Sequence, residues 1–306
     1  MSSLFPDKNL ERAVFRKLAF SDNTPTVVWP YTKRFDPSSA SAPWKIEQNK
    51  KPLRPLTRGE LEGLESLSVE RPIEDLTGLE LCVNLTDLDL GSNQISDVTL
   101  LASLTNLTEL SLRYNQQISG VSFLASLTNL TKLSLRESQI SDVAPLASLP
   151  NLTDLVLSHN QINDISPLAS LPSLTKLDLE VNQISDVSPL ASLTNLMLLD
   201  LFGNQVSDIS PLALLTNLTW LGLGCNEIGD ISPLASLTSL TELWLEHNQI
   251  SDVLPLDSLT NLKVNYIEYD RSRPSITTFD DFERRLSKMF ANSSIKFSRA
   301  NLKSVK

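Results

Sequence analysis

A chain of 306 residues, 41% of them hydrophobic, is long and apolar enough to bury a sizeable core, which excludes a disordered protein. Nine glycines and 6% aromatics argue against a nucleotide enzyme built on glycine loops, and two cysteines, Cys82 and Cys225, without CxxC spacing, make no disulfide framework or zinc site. The net charge of −10 is unevenly spread: residues 1–58 carry 11 Lys and Arg against 5 Asp and Glu, residues 59–270 carry 6 against 28, and residues 271–306 carry 9 against 3. Such an acidic body repels phosphates, so nucleic acid is not an expected partner.

The chain opens on "MSSLFPDKNLERAV", which has no cationic region followed by an apolar one. No run of about 18 apolar residues follows anywhere, so membrane insertion is not expected. Read as it stands, the chain is expected in the cytoplasm; a trimmed N-terminus would instead make it secreted or surface-bound. Residues 21–55 carry six prolines with Trp29, Tyr31, Phe35 and Trp44, a loop-like insertion read either as an elaborated cap loop on the first coil or as a partner-binding excursion. Thr57 and Glu60 have capping-box spacing and predict a helix start.

From there the sequence repeats itself. The motif L-x-x-L-x-L recurs from Leu85, Leu107, Leu130, Leu152, Leu174, Leu196, Leu218 and Leu240 with a spacing of 22 and a single 23. A further copy begins at Leu64, one residue out of step, and a degraded one at Leu262. A fixed period with an asparagine three places after the last leucine is the signature of a leucine-rich repeat solenoid. In residues 174–193, Leu177 and Leu179 are expected to point into the core from a short strand, leaving Asp178 and Glu180 on the concave surface. Ile184, Val187, Leu190 and Leu193 recur every third residue, which suits a 3₁₀-like return, and Ser188 before Pro189 reads as an N-cap. Cys82 takes the place of a buried leucine.

Three further columns follow the period. Asn93, Asn115, Asn160, Asn182, Asn204, Asn226 and Asn248 are expected to satisfy turn backbone groups of adjacent coils; the column breaks at Ser138, after the extra glutamine of "NQQISG". That coil also carries Gly120 and Phe123 in place of the usual Asp and Pro, and reads as a tolerated irregularity or a functional kink. Asp142, Asp164, Asp186, Asp208, Asp230 and Asp252 form a ladder that reads either as turn caps or as a calcium-binding row. His159 and His247 lie four coils apart, roughly 19 Å at one strand spacing per coil, and cannot share a metal. No nucleophile elbow, phosphate loop or metal motif is present, so no catalytic residue, metal or cofactor is expected.

The sequence "ISDVSPLASLTNLTxLxLxxNQ" resembles the 22-residue repeats of bacterial internalin-like proteins, related in repeat class to phosphatase-regulating leucine-rich repeat proteins. The resemblance implies an α/β solenoid: a right-handed superhelix with a concave parallel β-sheet and convex 3₁₀-like turns. "FPDKNLERAVFRKL" at 5–18 is similar to the family's helical N-terminal cap. The expected layout is an N-terminal cap over 1–63 containing the 21–55 insertion, about nine coils over 64–262, and a degraded last coil with a C-terminal cap helix over 263–306. Phe279, Phe282, Leu286 and Met289 share one face of that helix.

Candidate binding residues come from departures within the concave columns. Ser66, Asp87, Glu109, Lys132, Asp154, Lys176, Leu198, Trp220 and Glu242 form one outward column, polar until Leu198. Trp220, with Leu198 beside it, Phe202 further along the adjacent strand and Trp244 on the next coil, makes an apolar cluster; Gly222 and Gly224 are expected to leave a dip between the rings. Clustered apolar groups on a polar surface mark a binding hot spot. Arg113, Tyr114 and Arg136 form a second, polar cluster that either reads an acidic partner or balances Glu109 and Glu137. The expected function is non-enzymatic recognition of a protein or peptide on the concave sheet by a monomer. The rival readings are a regulatory subunit of an enzyme such as a phosphatase, and an internalin-type surface adhesin.

Overall fold

The computed structural model describes residues 4–19, 56–69, 72–118 and 120–262, and strand 264–266. The 21–55 insertion and the helix expected around 279–289 lie outside the described residues. Ten three-residue strands form one sheet: β1 (Ser66–Ser68), β2 (Asp87–Asp89), β3 (Glu109–Ser111), β4 (Lys132–Ser134), β5 (Asp154–Val156), β6 (Lys176–Asp178), β7 (Leu198–Asp200), β8 (Trp220–Gly222), β9 (Glu242–Trp244) and β10 (Val264–Tyr266). Their spatial order is their sequence order, and every pair is parallel. Parallel neighbours joined by a crossover wind right-handed, which makes the stack a right-handed solenoid.

Each coil returns through a short 3₁₀ helix such as Ser188–Ser192, where Leu190 N–H donates to Val187 C=O at 3.0 Å. Three residues per turn bring Val187, Leu190 and Leu193 onto one side, and all three are buried. Leu177, Leu179, Ile184, Leu190 and Leu193 have no solvent exposure, because the coils on either side cover them. Cys82 belongs to the same core, and burial, aided by Glu80, pushes its thiol pKa up to about 12.

The asparagine column works as a splice between coils. Asn204 Nδ2 donates to Leu179 C=O at 3.0 Å on the preceding coil and to Leu201 C=O at 3.1 Å on its own, while Oδ1 accepts Ile184 N–H at 3.0 Å. A carboxamide has the two donors and one acceptor that this junction requires. At the break, Ser138 is fully buried and its hydroxyl donates to Leu112 C=O at 3.1 Å; the Ile118 N–H left without a carboxamide donates to Asn115 C=O at 3.3 Å instead. The shorter side chain is thus accommodated by a local turn.

The aspartate column caps the returns. Asp164, Asp186, Asp208 and Asp230 each accept, through Oδ1, the N–H two residues ahead at 2.8 Å. This corrects the reading of Ser188 as the cap: Ser188 is the first residue of its 3₁₀ helix, Val187 stands at the N-cap position without a side-chain bond, and Asp186 supplies the acceptor. Hydrogen bonds to the backbone hold the Asp164 and Asp208 carboxyls below their usual pKa.

A column without a compositional signature precedes the asparagines. Ser92, Tyr114, Glu137, His159, Val181, Cys225 and His247 all have left-handed backbone, with φ between 50° and 59°, and Gly203 has φ 69°. The turn out of each strand demands that conformation, and only Gly203 meets it without steric cost.

At the N-terminal end, α1 (Lys8–Ala19) and α2 (Arg58–Glu62) are both formed. Thr57 and Glu60 make the reciprocal capping box that their spacing predicts. Asp7 Oδ1 accepts the N–H groups of Asn9 and Leu10, and Asn9 Nδ2 donates to Pro72 C=O at 2.8 Å, tying α1 to the first coil. Phe5, Leu10 and Val14 are buried in the common core, so the first coil has no open apolar end there.

Candidate functional site

Strand register makes the concave face a grid. The first outward column runs Ser66, Asp87, Glu109, Lys132, Asp154, Lys176, Leu198, Trp220 and Glu242, as the period predicts. Gly222 pairs laterally with Asp200 on one side and Trp244 on the other. Leu198, Phe202, Trp220 and Trp244 are all partly exposed, whereas Gly222 and Gly224 are buried.

The open dip expected between the rings is filled by the rings themselves. A Cβ on Gly222 would lie 2.5 Å from Asp200 Oδ1 and 2.8 Å from Cη2 of Trp220, so the indole rests on its own strand's glycine. A Cβ on Gly224 would lie 2.8 Å from both Phe202 Cδ2 and the Glu246 carboxyl carbon. The glycines therefore let the aromatic rings settle onto backbone, and the result is a shallow apolar floor. Two side chains that sequence reasoning passed over extend it. Met197 is 50% exposed at the edge of β7, where the equivalent positions Thr86, Thr108, Thr131, Thr153 and Thr175 carry threonine. Val181 is 38% exposed at the opposite rim, its Cγ2 lying 3.2 Å from where a Cβ of Gly203 would be. Met197 was legible as a break in the threonine column; Val181 carried no such signal.

The polar cluster sits on the coils before this floor. Arg113 Nη2 lies 3.4 Å from Asp89 Oδ2, and Lys132 and Lys176 pair with Glu109 and Asp154 at 2.7 and 2.9 Å. Arg136 reaches across a whole coil: its Nη1 donates to Ser158 Oγ at 3.0 Å and stands 3.5 Å from Glu180 Oε2. Burial works against its charge, but Tyr114, Glu180 and Asp178 outweigh that and raise its pKa. The structure thus brings Tyr114 and Arg136 together, while Arg113 turns back towards β2.

Asp178 differs from its expected role as solvated surface. It lies on the concave side but is only 8% exposed, with Oδ2 accepting Ser158 Oγ–H at 2.8 Å and Oδ1 accepting Glu180 N–H at 3.0 Å. Its burial raises the carboxyl pKa, against the opposing pull of those hydrogen bonds. Asp89 and Asp200 make the same kind of bond two residues ahead, so these side chains shape the exit of each strand. Among the described residues no group of three His, Cys, Asp or Glu is placed to hold a metal ion, and no helix is long and apolar enough to cross a membrane.

A one-sheet solenoid with buried leucine and asparagine columns and an apolar floor on its concave face is a leucine-rich repeat structure. The family model described as Leucine Rich repeats (2 copies) matches residues 83–126, 128–170, 172–214 and 216–261. An internalin (inlF) from Listeria monocytogenes is 32% identical with a TM-score of 0.66, covering 86% of this chain and 77% of that one. Internalin C2 (inlC2) of the same organism is 36% identical with a TM-score of 0.58, covering 87% and 95%. A plant peptide hormone receptor, solved in complex with RGF2, shares the fold at 22% identity and a TM-score of 0.57, covering 69% of this chain and 42% of that one. A search of the curated proteins found no match. The chain belongs to the leucine-rich repeat family, and within it is internalin-like.

Proposed function

We propose that this protein is a non-enzymatic recognition module that binds a protein or peptide on its concave sheet, with Leu198, Phe202, Trp220 and Trp244 as the principal contacts. The observation that carries this reading is that these four apolar side chains remain partly exposed on a face whose other outward positions are mostly polar. Water contact at such a cluster is costly, and covering aromatic rings on a rigid strand recovers it with little loss of side-chain freedom. The fold itself is commonly a protein-interaction scaffold, an analogy that supports the class of function and not its partner.

The test has two parts. A photo-cross-linking residue placed at Glu242 on the concave face, and in a separate variant at Ser188 on the convex return, is used to capture partners. The concave variant should yield a discrete cross-linked protein or peptide that the convex variant does not. Trp220→Ala should then weaken that complex by about 2 kcal/mol or more, roughly thirtyfold, because truncating a central aromatic removes a hot spot. Capture only from the convex face, or unchanged affinity in Trp220→Ala, would sink this reading.

A further inference from the structure

Resting on that assignment of the concave face, we infer that Ser111 and Ser134 mark a second subsite on it, one that takes the carboxylate of an Asp or Glu side chain of the bound polypeptide.

The third residue of each strand shares the outward side of the first. In three coils it is an aspartate with one role: Asp89 Oδ1 accepts Gly91 N–H at 2.9 Å, Asp178 Oδ1 accepts Glu180 N–H at 3.0 Å, and Asp200 Oδ1 accepts Phe202 N–H at 2.9 Å. Ser111 and Ser134 take that place on β3 and β4, side by side in register. They are 3% and 2% exposed, and neither hydroxyl has a hydrogen-bond partner. Arg113 N–H and Arg136 N–H therefore lack the side-chain oxygen that those three coils supply. A buried hydroxyl without a partner is costly, and two of them together, beside two such N–H groups, mark a place where an acceptor oxygen fits.

The side chains around the pair suit a carboxylate oxygen. Arg113 and Arg136 lean in opposite directions: Arg113 lies over Gly91, its Cγ 2.7 Å from where a Cβ would be, and Arg136 runs over Ser158 to Glu180. Both meet their acids at long range, 3.4 Å to Asp89 Oδ2 for Arg113 and 3.5 and 3.8 Å to Glu180 Oε2 and Glu137 Oε1 for Arg136, so each guanidinium keeps donors for a second carboxylate. Glu109 beside them is matched by Lys132 at 2.7 Å. Because the hydroxyls are buried, a ligand oxygen reaches them only as the side chains above part, and these long contacts let that happen. Asp89, Asp178 and Asp200 show that a carboxylate fits this turn, and the guanidinium groups favour it over a neutral carbonyl. Ser134 lies three strands from Leu198 and four from Trp220, roughly 14–19 Å, which about four to six extended residues span. One polypeptide can thus seat apolar anchors on the floor and a carboxylate here.

The experiment titrates the whole chain with sodium acetate and reads the backbone amide signals of Arg113 and Arg136 by NMR, with sodium chloride at matched ionic strength, acetamide and inorganic phosphate as comparison solutes. Acetate is expected to move both signals saturably, and chloride and acetamide are not. Replacing the pair together, Ser111→Ala with Ser134→Ala, should weaken the acetate response at least about tenfold while leaving the melting temperature level or higher, since two unpaired buried hydroxyls are removed. Ser134→Asp supplies the oxygen from within and should hold the Arg136 signal near its acetate-bound position with no ligand added; if that variant does not fold, the alanine pair decides. No saturable acetate shift, an equal shift with acetamide, or an unchanged response in the alanine pair overturns the subsite. Phosphate saturating at least about tenfold below acetate overturns the carboxylate assignment. The titration needs no partner, so its failure leaves the Trp220→Ala test of the floor standing, and a failed Trp220→Ala test leaves the acetate response to be read on its own.

Discussion

The indole of Trp220 lies on Gly222, with Cη2 2.8 Å from the place a Cβ would take, while Asp200 Oδ1 stands 2.5 Å from the same point on the other side. The glycine is required here by space, since its backbone is not left-handed, and the ring's orientation depends on it. The seat of one of the four candidate contact side chains is thereby set by a buried glycine.

Gly222→Ala should accordingly destabilise the protein by about 1–3 kcal/mol, as overpacking against carboxylate and ring forces both to move. It should also shift the tryptophan emission, because the indole must leave its seat. Gly120→Ala is the matched control: nothing lies within 4 Å of its Cβ position, and its stability should change little or rise by about 0.5 kcal/mol. Denaturant melts of the two variants decide the matter; equal effects would show that the packing over Gly222 is loose.

The left-handed column yields a stabilising substitution. Val181 has φ 50° and a β-branched side chain that is 38% exposed, so it carries conformational strain with little burial in return. Val181→Asn should raise stability by about 0.5–1 kcal/mol, since asparagine tolerates this conformation best among side-chain-bearing residues. A fall in the denaturation midpoint would mean that valine packing against Gly203 outweighs the strain.

Removing the splice between coils should cost more than removing its substitute. Asn204→Ala leaves the buried Ile184 N–H and two carbonyls without their side-chain partner and should cost about 3 kcal/mol, whereas Ser138→Ala loses only hydroxyl bonds and should cost about 1 kcal/mol. Leu177→Ala, fully buried on the same core, should cost about 2–5 kcal/mol. Comparable losses for Asn204→Ala and Ser138→Ala in urea melts would refute the claim that the carboxamide carries the junction.

Two kinds of aspartate give opposite pH signatures. Asp164 and Asp208 have lowered pKa values from their cap bonds, so their contribution is present above the ordinary carboxylate pKa and is lost as pH falls through the folded value. Asp178 has a raised pKa from burial, so the folded state holds its proton more tightly and stability falls as pH rises from the ordinary carboxylate pKa through the folded one. Asp178→Asn keeps an acceptor for Glu180 N–H, and relative to wild type it should be more stable at neutral pH, with the advantage shrinking as pH falls. Asp164→Ala should be less stable than wild type at neutral pH, with that deficit shrinking in acid. Melting temperatures across a pH series test both; parallel curves for wild type and Asp178→Asn would show that the Asp178 carboxyl titrates alike in both states.

The sequence by itself determined which residues share a column. The period of 22 places Leu177 inward, Trp220 beside Leu198, and one asparagine and one aspartate at the same point of successive coils, because each coil must make the same contacts with the next. The Thr57 capping box was legible for a similar reason, since it closes within four residues. What only the tertiary structure decided is where side chains go once they leave their column. Trp220 falls onto Gly222, Arg136 stretches over Ser158 to Glu180, Asp178 turns down into the strand exit, and Val181 takes a left-handed backbone. Each of these depends on what the neighbouring coils or the local turn leave free, and residues at lateral distance, some 20 to 44 positions away, set that space. Backbone periodicity fixes position; the packing of adjacent coils fixes direction, and with it which part of the concave face remains open.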